Sequence, residues 1–297
     1  GRWSRGLGDV YKRQTWETPV DTDGETYGPG SLCRRRQLQV PREGLVLEPA
    51  AKRWRQFVIE HNPAYQPCDM LPFLELVDLA HHRQTEMLGL DPPDTLVLVN
   101  PDNTDHYREL TGQGTWRLYQ REGNRVVLQG VGTLQARTLD GHAAHMLVAE
   151  WLLDKGVGVE LPRWLTHGLA LYLAEHGVHL MNFMAEFRPQ GPVLLPPAAI
   201  DSILASGIDP EPWRDRQMYR RAGYSAFLMA WELVENQGGM PALREFLQAV
   251  AGGTDPDAAA MRTWGMDLTE LAQFLDPVQL GEPIGPSAAT HMPEREP

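Results

Sequence analysis

Three histidines near the middle of the chain have the residue type and the spacing of a metal site. His142 and His145 are three positions apart, so on a helix they lie on neighbouring parts of one face. His167 follows in the next predicted helix. Three neutral imidazoles around an open fourth position are a known zinc arrangement, and zinc bound in this way activates water for hydrolysis. The three histidines are therefore candidate zinc ligands, with His142, His145 and His167 as a geometrically conceivable set.

Two predicted helices have to position these ligands. The first extends from Thr138 to Lys155, where apolar residues recur with a helical period. The second begins near Pro162 and stops at Gly177, because glycine is a common helix end. If the second helix packs against the first, it aims His167 into the cleft between them.

The second of these helices also carries the pattern of a known family. The segment "LPRWLTHGLALYLAE" resembles the Pro-x-Trp-Leu-x-Glu-Gly-x-Ala-x-Tyr helix of many bacterial gluzincins, the peptidase MA-like or thermolysin-like zinc metallopeptidases. The residues that match this pattern are Pro162, Trp164, Leu165, Gly168, Ala170 and Tyr172. His167 stands where the family has Glu, its third zinc ligand. Aligned on His145, "GHAAH" is similar to H-E-x-x-H, with Gly141 at the first His and His142 at the Glu that acts as general base.

The resemblance covers roughly Asp94 to Leu275 and implies a fold. That fold is α+β and zincin-like, with a small β-sheet packed on an active-site helix and a mostly helical C-terminal subdomain after it. In related peptidases a Tyr or His of the helical part donates a hydrogen bond to the developing oxyanion. Tyr224 is the candidate for this catalytic role here, and Tyr219 competes with it.

Two functions follow from the altered motif. Of the family's four key residues only His145 is unchanged, so we expect a peptidase MA-like protein with a degenerate catalytic motif. Such a protein would lack ordinary peptidase activity and bind a peptide or a protein partner. The alternative is an active zinc-dependent hydrolase with a three-His site. His142 would serve there as a catalytic base only if it is not a ligand, since one residue cannot do both.

Flanking segments predict the surrounding elements. "PAAKRWRQFVIEH" and "DMLPFLELVDLAHHRQTEML" have helical spacing, "DTLVLVN" predicts a buried strand, and "TWRLYQREGNRVVLQG" predicts a β-hairpin. A short helix capped by Asn103 or Thr104 lies between strand and hairpin. Further helices are predicted over 197–206, 218–237, 241–251 and 267–275. Outside the motif, the pair His81 and His82 and the side chain of Glu150 are predicted to face solvent.

The chain divides into four parts by texture. We predict that residues 1–14 are a non-native leader and that residues 15–48 are a loop-rich lead-in. Residues 49–276 are predicted to form the peptidase MA-like domain, and residues 277–297 a proline-rich disordered tail. The sequence begins with Gly1 and its first methionine is Met70. We therefore expect the natural start, and any export signal, to lie upstream.

Composition excludes some classes of partner. The chain has 42% hydrophobic and 22% charged residues, as globular domains do, and a formal net charge of -12. This acidity argues against a nucleic-acid partner, since phosphate binding requires clustered Lys and Arg. Two cysteines are too few for a disulfide framework. No apolar run is long enough to span a bilayer.

Overall fold

The described part of the chain forms a mixed α+β structure that is mostly helical and contains one small sheet. The computed structural model describes residues 50–54, 57–61, 70–92, 94–114, 117–174, 194–205 and 213–280. The predicted leader (1–14), the lead-in (15–48) and the tail beyond 280 lie outside the described residues. The coarse class expected from the sequence, α+β, is confirmed.

The sheet has five strands and places the most buried ones at its centre. Strands β2, β3 and β5 pair in parallel, and β1 and β4 are added antiparallel at the two edges, giving the order β1-β2-β3-β5-β4. Ile59, Leu98 and Val126 are in register across the three central strands, and all three are buried. The strands are β1 (Ala50–Trp54), β2 (Phe57–His61), β3 (Leu96–Asn100), β4 (Tyr119–Glu122) and β5 (Arg125–Leu128).

The first two strands correct the sequence prediction, which had a helix in "PAAKRWRQFVIEH". Burial alternates along β2, with Phe57, Ile59 and His61 buried and the residues between them half-exposed. This is the period of a strand. Strand β2 pairs with β3 along its whole length and with β1 on its other side, and such pairing outweighs the local spacing of apolar residues.

The remaining predicted elements are confirmed, apart from shifts of a few residues at their ends. Strand β3 and the β4–β5 hairpin form as predicted, and the Asn103 side chain caps the short helix after β3 by accepting from Asp105 N and His106 N. The helices are α1 (Leu71–Leu88), α2 (Thr104–Thr111), α3 (Val131–Ala136), α4 (Asp140–Trp151), α5 (Arg163–Leu173), α6 (Pro197–Ala205), α7 (Trp213–Asn236), α8 (Gly239–Ala251), α9 (Pro256–Trp264), α10 (Leu268–Phe274) and α11 (Pro277–Leu280).

Three of these helices differ from the predictions. Helix α3, which lies between the predicted hairpin and the helix predicted from Thr138, was not predicted. Helix α9 was not predicted, although its start signal is present: Asp255 accepts hydrogen bonds from Asp257 N and Ala258 N, and Pro256 follows at the first helical position. Helix α11 forms at the start of the predicted disordered tail.

Helix α4 is the central element of the structure. It contacts helices α1, α3 and α5 and strand β4. Its residues are apolar on most sides, and Ala143, Ala144, Leu147 and Trp151 are fully buried. A helix that is apolar almost all round has to lie inside the fold. At its C-terminal end it continues as a π-helical segment, Leu152–Gly156, a rare conformation that is frequent at functional sites.

Helices α5 and α7 approach each other very closely. A Cβ added to Gly168 of α5 would lie 2.3 Å from the carbonyl oxygen of Ala226 in α7, far inside van der Waals contact. The N-terminus of α5 is fixed by α6, because the Asp201 carboxylate accepts a 2.7 Å hydrogen bond from Trp164 N. Because residue 168 is a glycine, α5 can approach α7 so closely that the residues next to Gly168, including His167, lie at the surface of α7.

No helix in the described part of the chain is long and apolar enough to cross a membrane.

Candidate functional site

A cleft of about 750 Å³ opens between strand β4 and helices α4, α5 and α7. This volume is in the range of ligand-binding pockets. The rim is formed by residues 159–161, by the end of α6 and by the turn that leads into α4. The polar side chains that line it are Arg117, Tyr119, Gln120, Arg121, Arg137, Glu150, Asp154, Glu160, Arg163, Thr166, His167, Tyr219 and Arg220.

Two side chains that line the cleft, one from each of two neighbouring helices, form a hydrogen-bonded pair. His167 Nδ1 on α5 lies 3.1 Å from Glu150 Oε1 on α4, and the two side chains are only 13% and 20% exposed. A carboxylate only accepts hydrogen bonds, so Nδ1 carries the proton and the imidazole is held in one orientation. Burial raises the pKa of Glu150, but His167 and the Arg121 guanidinium outweigh it, and the pKa lies below its usual value. Glu150 is therefore ionised at neutral pH.

Two tyrosines adjoin this ion pair. The Tyr119 hydroxyl lies close to the Glu150 carboxylate without the geometry of a well-formed hydrogen bond, and burial together with that carboxylate raises its pKa. The ring of Tyr219 meets the His167 ring edge-on, with centroids 5.8 Å apart. Burial raises the pKa of Tyr219 to about 12, against the lowering effect of Arg117, so its hydroxyl keeps its proton at neutral pH.

The π-helical segment adds a second carboxylate to the same wall. Asp154 follows Glu150 by four positions, and its Oδ2 accepts a 2.7 Å hydrogen bond from Arg121 Nη1 on β4. Burial raises the pKa of Asp154, but the hydrogen bond and charge of Arg121 outweigh it and lower the pKa overall. Two carboxylates of this wall thus contact strand β4. Asp154 is hydrogen-bonded to Arg121, and Glu150 lies close to the Tyr119 hydroxyl.

Strand β4 lies at the edge of the sheet as far as the described residues go, and its outer edge carries hydrogen-bonding groups. Gln129 N donates to Leu118 O at 2.9 Å across the hairpin. Along an antiparallel ladder, hydrogen-bonded residue pairs alternate with non-hydrogen-bonded pairs. The backbone of Gln120, two residues after Leu118, therefore also bonds to β5, whereas the backbone groups of Tyr119 and Arg121 point away from β5. The N–H and C=O of Tyr119 and Arg121 are therefore directed outward from the sheet.

The other two predicted ligands contact different parts of the protein. His145 lies towards α1, where the buried Gln84 has its Nε2 3.0 Å from His145 O and 3.4 Å from His145 Nδ1. His142 Nδ1 lies 3.4 Å from the carbonyl oxygen of Ala174, next to the C-terminal end of α5. Of the three histidines only His167 is among the residues that line the cleft.

These contacts separate the three imidazoles. His142 and Glu150 are eight positions apart on α4, which is about 12 Å along the axis. His142 and His167 therefore contact different levels of the helix pair, whereas the ligands of one zinc all lie about 2 Å from the metal. In the described ranges no group of three or more His, Cys, Asp and Glu is placed to hold a metal ion. Zinc binding stays a prediction.

The two tyrosine candidates have different surroundings. Tyr224, the predicted catalytic residue, is 8% exposed and packs in an apolar cluster with Met146, Leu171 and Phe227. Tyr219, its competitor, lines the cleft beside His167. Of the two tyrosines, Tyr219 is therefore the one whose ring lies beside the Glu150–His167 pair.

Two predictions of solvated side chains were wrong. Glu150 was expected at the surface because it lies on a different face from His145, yet that face is the wall of the cleft. His81 packs between Phe57 and Trp151, with ring centroids 5.8 and 5.6 Å away, and burial lowers its pKa. His82 is exposed, as expected.

A sequence signal for Glu150 was available. Met146 and Glu150 are four positions apart, so they lie on one face of α4. Glu150 is the ionisable residue in an otherwise apolar stretch that runs from Met146 to Leu153. An ionisable residue inside such a run is rarely buried without a partner. The same reasoning does not identify the partner, which comes from another helix.

Comparisons with known proteins give no assignment. No protein-family model matches the chain, and no curated protein is significantly similar to it.

Proposed function

We propose that the chain is a peptidase-like protein of gluzincin type whose cleft binds an extended peptide or a segment of a partner protein and does not cleave it in the ordinary zinc-dependent way. The observation that carries this proposal is the 3.1 Å hydrogen-bonded contact between Glu150 and His167, which both line the cleft. In the alignment proposed below these two residues stand at zinc-ligand positions of the family.

The positions of the cleft residues support a specific relation to the H-E-x-x-H motif. In that motif two histidines four positions apart face the third ligand on the next helix. Met146 and Glu150 have this spacing, and both line the cleft with His167. These positions support an alignment of the motif with "MLVAE" rather than with "GHAAH". Relative to the family pattern, Met replaces the first His, Leu147 replaces the general base, and the His and Glu ligands are exchanged between the helices.

This substitution pattern supports the proposed loss of metal chemistry. The Glu150 carboxylate and the His167 imidazole are bonded directly to each other, with Oε1 and Nδ1 3.1 Å apart. A thioether is a poor zinc ligand in comparison with imidazole. Loss of a general base alone typically reduces a rate by about 10² to 10⁴. We expect the cleft to retain its shape while the hydrolytic centre is absent.

The edge of β4 supports an extended peptide as the ligand. The outward N–H and C=O groups of Tyr119 and Arg121 are free to pair with a further strand as far as the described residues show, and adding a strand to a sheet edge is a common mode of peptide recognition. The side chains of the same two residues line the cleft. A peptide paired with β4 would therefore run along its wall.

The first experiment separates binding from cleavage. Purified full-length chain is incubated with a fluorogenic peptide library in the presence of zinc, and hydrolysis and binding are measured on the same peptides. We expect binding without hydrolysis. Chelator-sensitive cleavage by the wild-type chain would contradict the proposal, and would favour the zinc-dependent hydrolase with His142, His145 and His167.

A pair of matched variants locates the bound peptide. Ala205 is exposed at the end of α6 and lines the cleft, whereas Ala251 is exposed at the end of α8 and does not. We expect Ala205→Trp to weaken peptide binding by filling the cleft mouth, and Ala251→Trp to leave binding unchanged. Peptides N-methylated at alternate residues test the strand pairing, because only one of the two alternating sets should lose affinity. Equal losses in both variants would place the peptide elsewhere.

A further inference from the structure

The imidazole of His167 offers one ring nitrogen to a molecule in the cleft. Its Nδ1 is bonded to Glu150 Oε1, but within the described part of the chain its Nε2 takes part in no hydrogen bond. Nε2 is also not one of the fully buried polar atoms without a partner. The side chain is 13% exposed and lines the cleft. Nε2 is therefore accessible from the cleft.

The position of this imidazole is fixed on two sides. Glu150 holds Nδ1 as a donor, and the ring of Tyr219 packs edge-on with its centroid 5.8 Å away. With the proton on Nδ1, Nε2 accepts a hydrogen bond when the ring is neutral and donates one when it is charged. A hydroxyl both donates and accepts, so it matches Nε2 in either form. A carboxylate only accepts and an ammonium only donates.

Strand β4 determines which peptide side chain approaches this nitrogen. Side chains that lie directly opposite each other on paired strands point to the same face of the sheet. The side chain of Tyr119 points towards α4, where its buried hydroxyl lies close to the Glu150 carboxylate. The peptide residue opposite Tyr119 would therefore direct its own side chain towards Glu150 and His167.

The depth of the Glu150–His167 pair favours a long side chain. It is the terminal hydroxyl of Tyr119 that lies close to Glu150. The hydroxyl of a serine or threonine is attached to Cβ and stays near the peptide backbone. A tyrosine has the length of Tyr119, so its hydroxyl would reach the same depth. Its ring would pack beside the Tyr119 ring as a cross-strand aromatic pair.

From this geometry we infer that the cleft selects peptides with a tyrosine side chain, whose hydroxyl forms a hydrogen bond with Nε2 of His167. This inference rests on the proposed function, because it names the substrate class of the same cleft. A phenylalanine in the same place would cover Nε2 without bonding to it, and a buried polar atom without a partner is costly. The cleft therefore discriminates between the two residues by one hydroxyl.

The experiment compares three capped peptides of about ten residues, the length of a strand at most, built from Thr, Val and Ser. The central residue is Tyr in the first peptide, Phe in the second and Ser in the third. Affinity for the full-length chain is measured by calorimetry. We expect the Tyr peptide to bind about ten-fold more tightly than the Phe peptide, because it makes one more hydrogen bond. The Ser peptide should bind most weakly, since it has no ring to pack against Tyr119.

Two substitutions of His167 separate the contributions of its ring nitrogens. The amide nitrogen of Asn is as many bonds from Cα as Nδ1, and the amide nitrogen of Gln is as many bonds away as Nε2. His167→Asn thus retains a donor for Glu150 and removes the atom that contacts the peptide. We expect it to lower the affinity ratio of Tyr to Phe peptides to about one, whereas His167→Gln should retain part of the ratio.

A histidine outside the cleft provides the control. His82 is exposed on α1 and does not line the cleft, so His82→Asn should leave the ratio unchanged. Circular dichroism confirms that each variant is folded. Nitrogen NMR of the wild-type chain with labelled histidines is a second readout that needs no variant. One Nε2 resonance should shift further with the Tyr peptide than with the Phe peptide, and identical spectra would overturn the inference.

The outcomes distinguish the two proposals. If the wild-type chain binds Tyr and Phe peptides equally, the tyrosine preference is wrong and peptide binding stands. If folded His167→Asn keeps the wild-type ratio, a different group recognises the hydroxyl and the inference about Nε2 is wrong. If none of the three peptides binds, both the inference and the proposed function are contradicted.

Discussion

The Nδ1 of His167 lies 3.1 Å from Oε1 of Glu150, and this pair joins α4 to α5 in the wall of the cleft. We expect Glu150→Gln to reduce the free energy of unfolding by about 1 to 2 kcal/mol at neutral pH, because a charge-assisted hydrogen bond becomes a neutral one. Thermal and urea unfolding measure this difference. Glu160→Gln is the matched control: its carboxylate lines the same cleft but is 82% exposed, so its loss should change stability very little.

The same variant has a defined pH dependence. The pKa of Glu150 in the folded protein is lowered below its ordinary value of about 4.5, since His167 and Arg121 outweigh the effect of burial. A lowered folded pKa contributes stability above the unfolded pKa, and that stability is lost as the pH falls through the folded pKa. The stability difference between wild type and Glu150→Gln should therefore be constant above about pH 5 and shrink below about pH 4. A difference that stays unchanged down to pH 3 would contradict the role of an ionised Glu150.

Tyr219 and Tyr224 should differ in their effect on peptide binding. With a pKa of about 12 the Tyr219 hydroxyl is protonated at neutral pH, and Tyr219 lines the cleft. Tyr219→Phe keeps the ring contact with His167 and removes only the hydroxyl, so we expect affinity to fall about two- to ten-fold. Tyr224→Phe, in the buried apolar cluster, should leave affinity unchanged and affect stability only. If a peptide titration shows that Tyr224→Phe lowers the affinity and Tyr219→Phe does not, Tyr224 is the tyrosine that acts in the cleft.

Measuring zinc binding by designed variants tests the proposed alignment of the H-E-x-x-H motif with this chain. The variant Met146→His/Glu150→His/His167→Glu places the family's three ligands at the cleft positions, and we expect it to retain about one zinc per chain after incubation and desalting. The competing alignment gives Gly141→His/His167→Glu, with His145 as the second ligand. We expect no stoichiometric zinc there, since His145 contacts Gln84 on the side of α1.

The wild-type chain is the third sample in the same metal assay. The three candidate ligands His142, His145 and His167 each contact a different protein group, so we expect the wild-type chain to stay free of stoichiometric zinc. About one zinc per wild-type chain, lost on His145→Ala/His167→Ala, would support the active hydrolase instead.

Elements determined by local sequence were predictable, and the site was predictable only in part. Strand β3 and the Asn103 cap depend on a few adjacent residues, and both were predicted. The hairpin of β1 and β2 depends on pairing with β3, and the local spacing of apolar residues did not indicate it. His167 was singled out from its helix pattern, but its partner was not. Which side of α4 faces α5 depends on where α1 packs, and that is a property of the assembled fold.

The contact between α5 and α7 gives a prediction with an internal control. Gly168→Ala would place a Cβ 2.3 Å from the carbonyl oxygen of Ala226, and backbone cannot move away as a flexible side chain can. We expect a loss of about 3 kcal/mol or more, at the upper end of overpacking effects, because the two helices have to separate. Gly141→Ala adds the same methyl group in α4, where nothing lies within 4 Å of the added Cβ. It should stabilise the chain by up to about 1 kcal/mol, since alanine favours the helix. Urea unfolding of both variants tests the pair. Equal stability of the two would contradict the close approach that brings His167 against Tyr219.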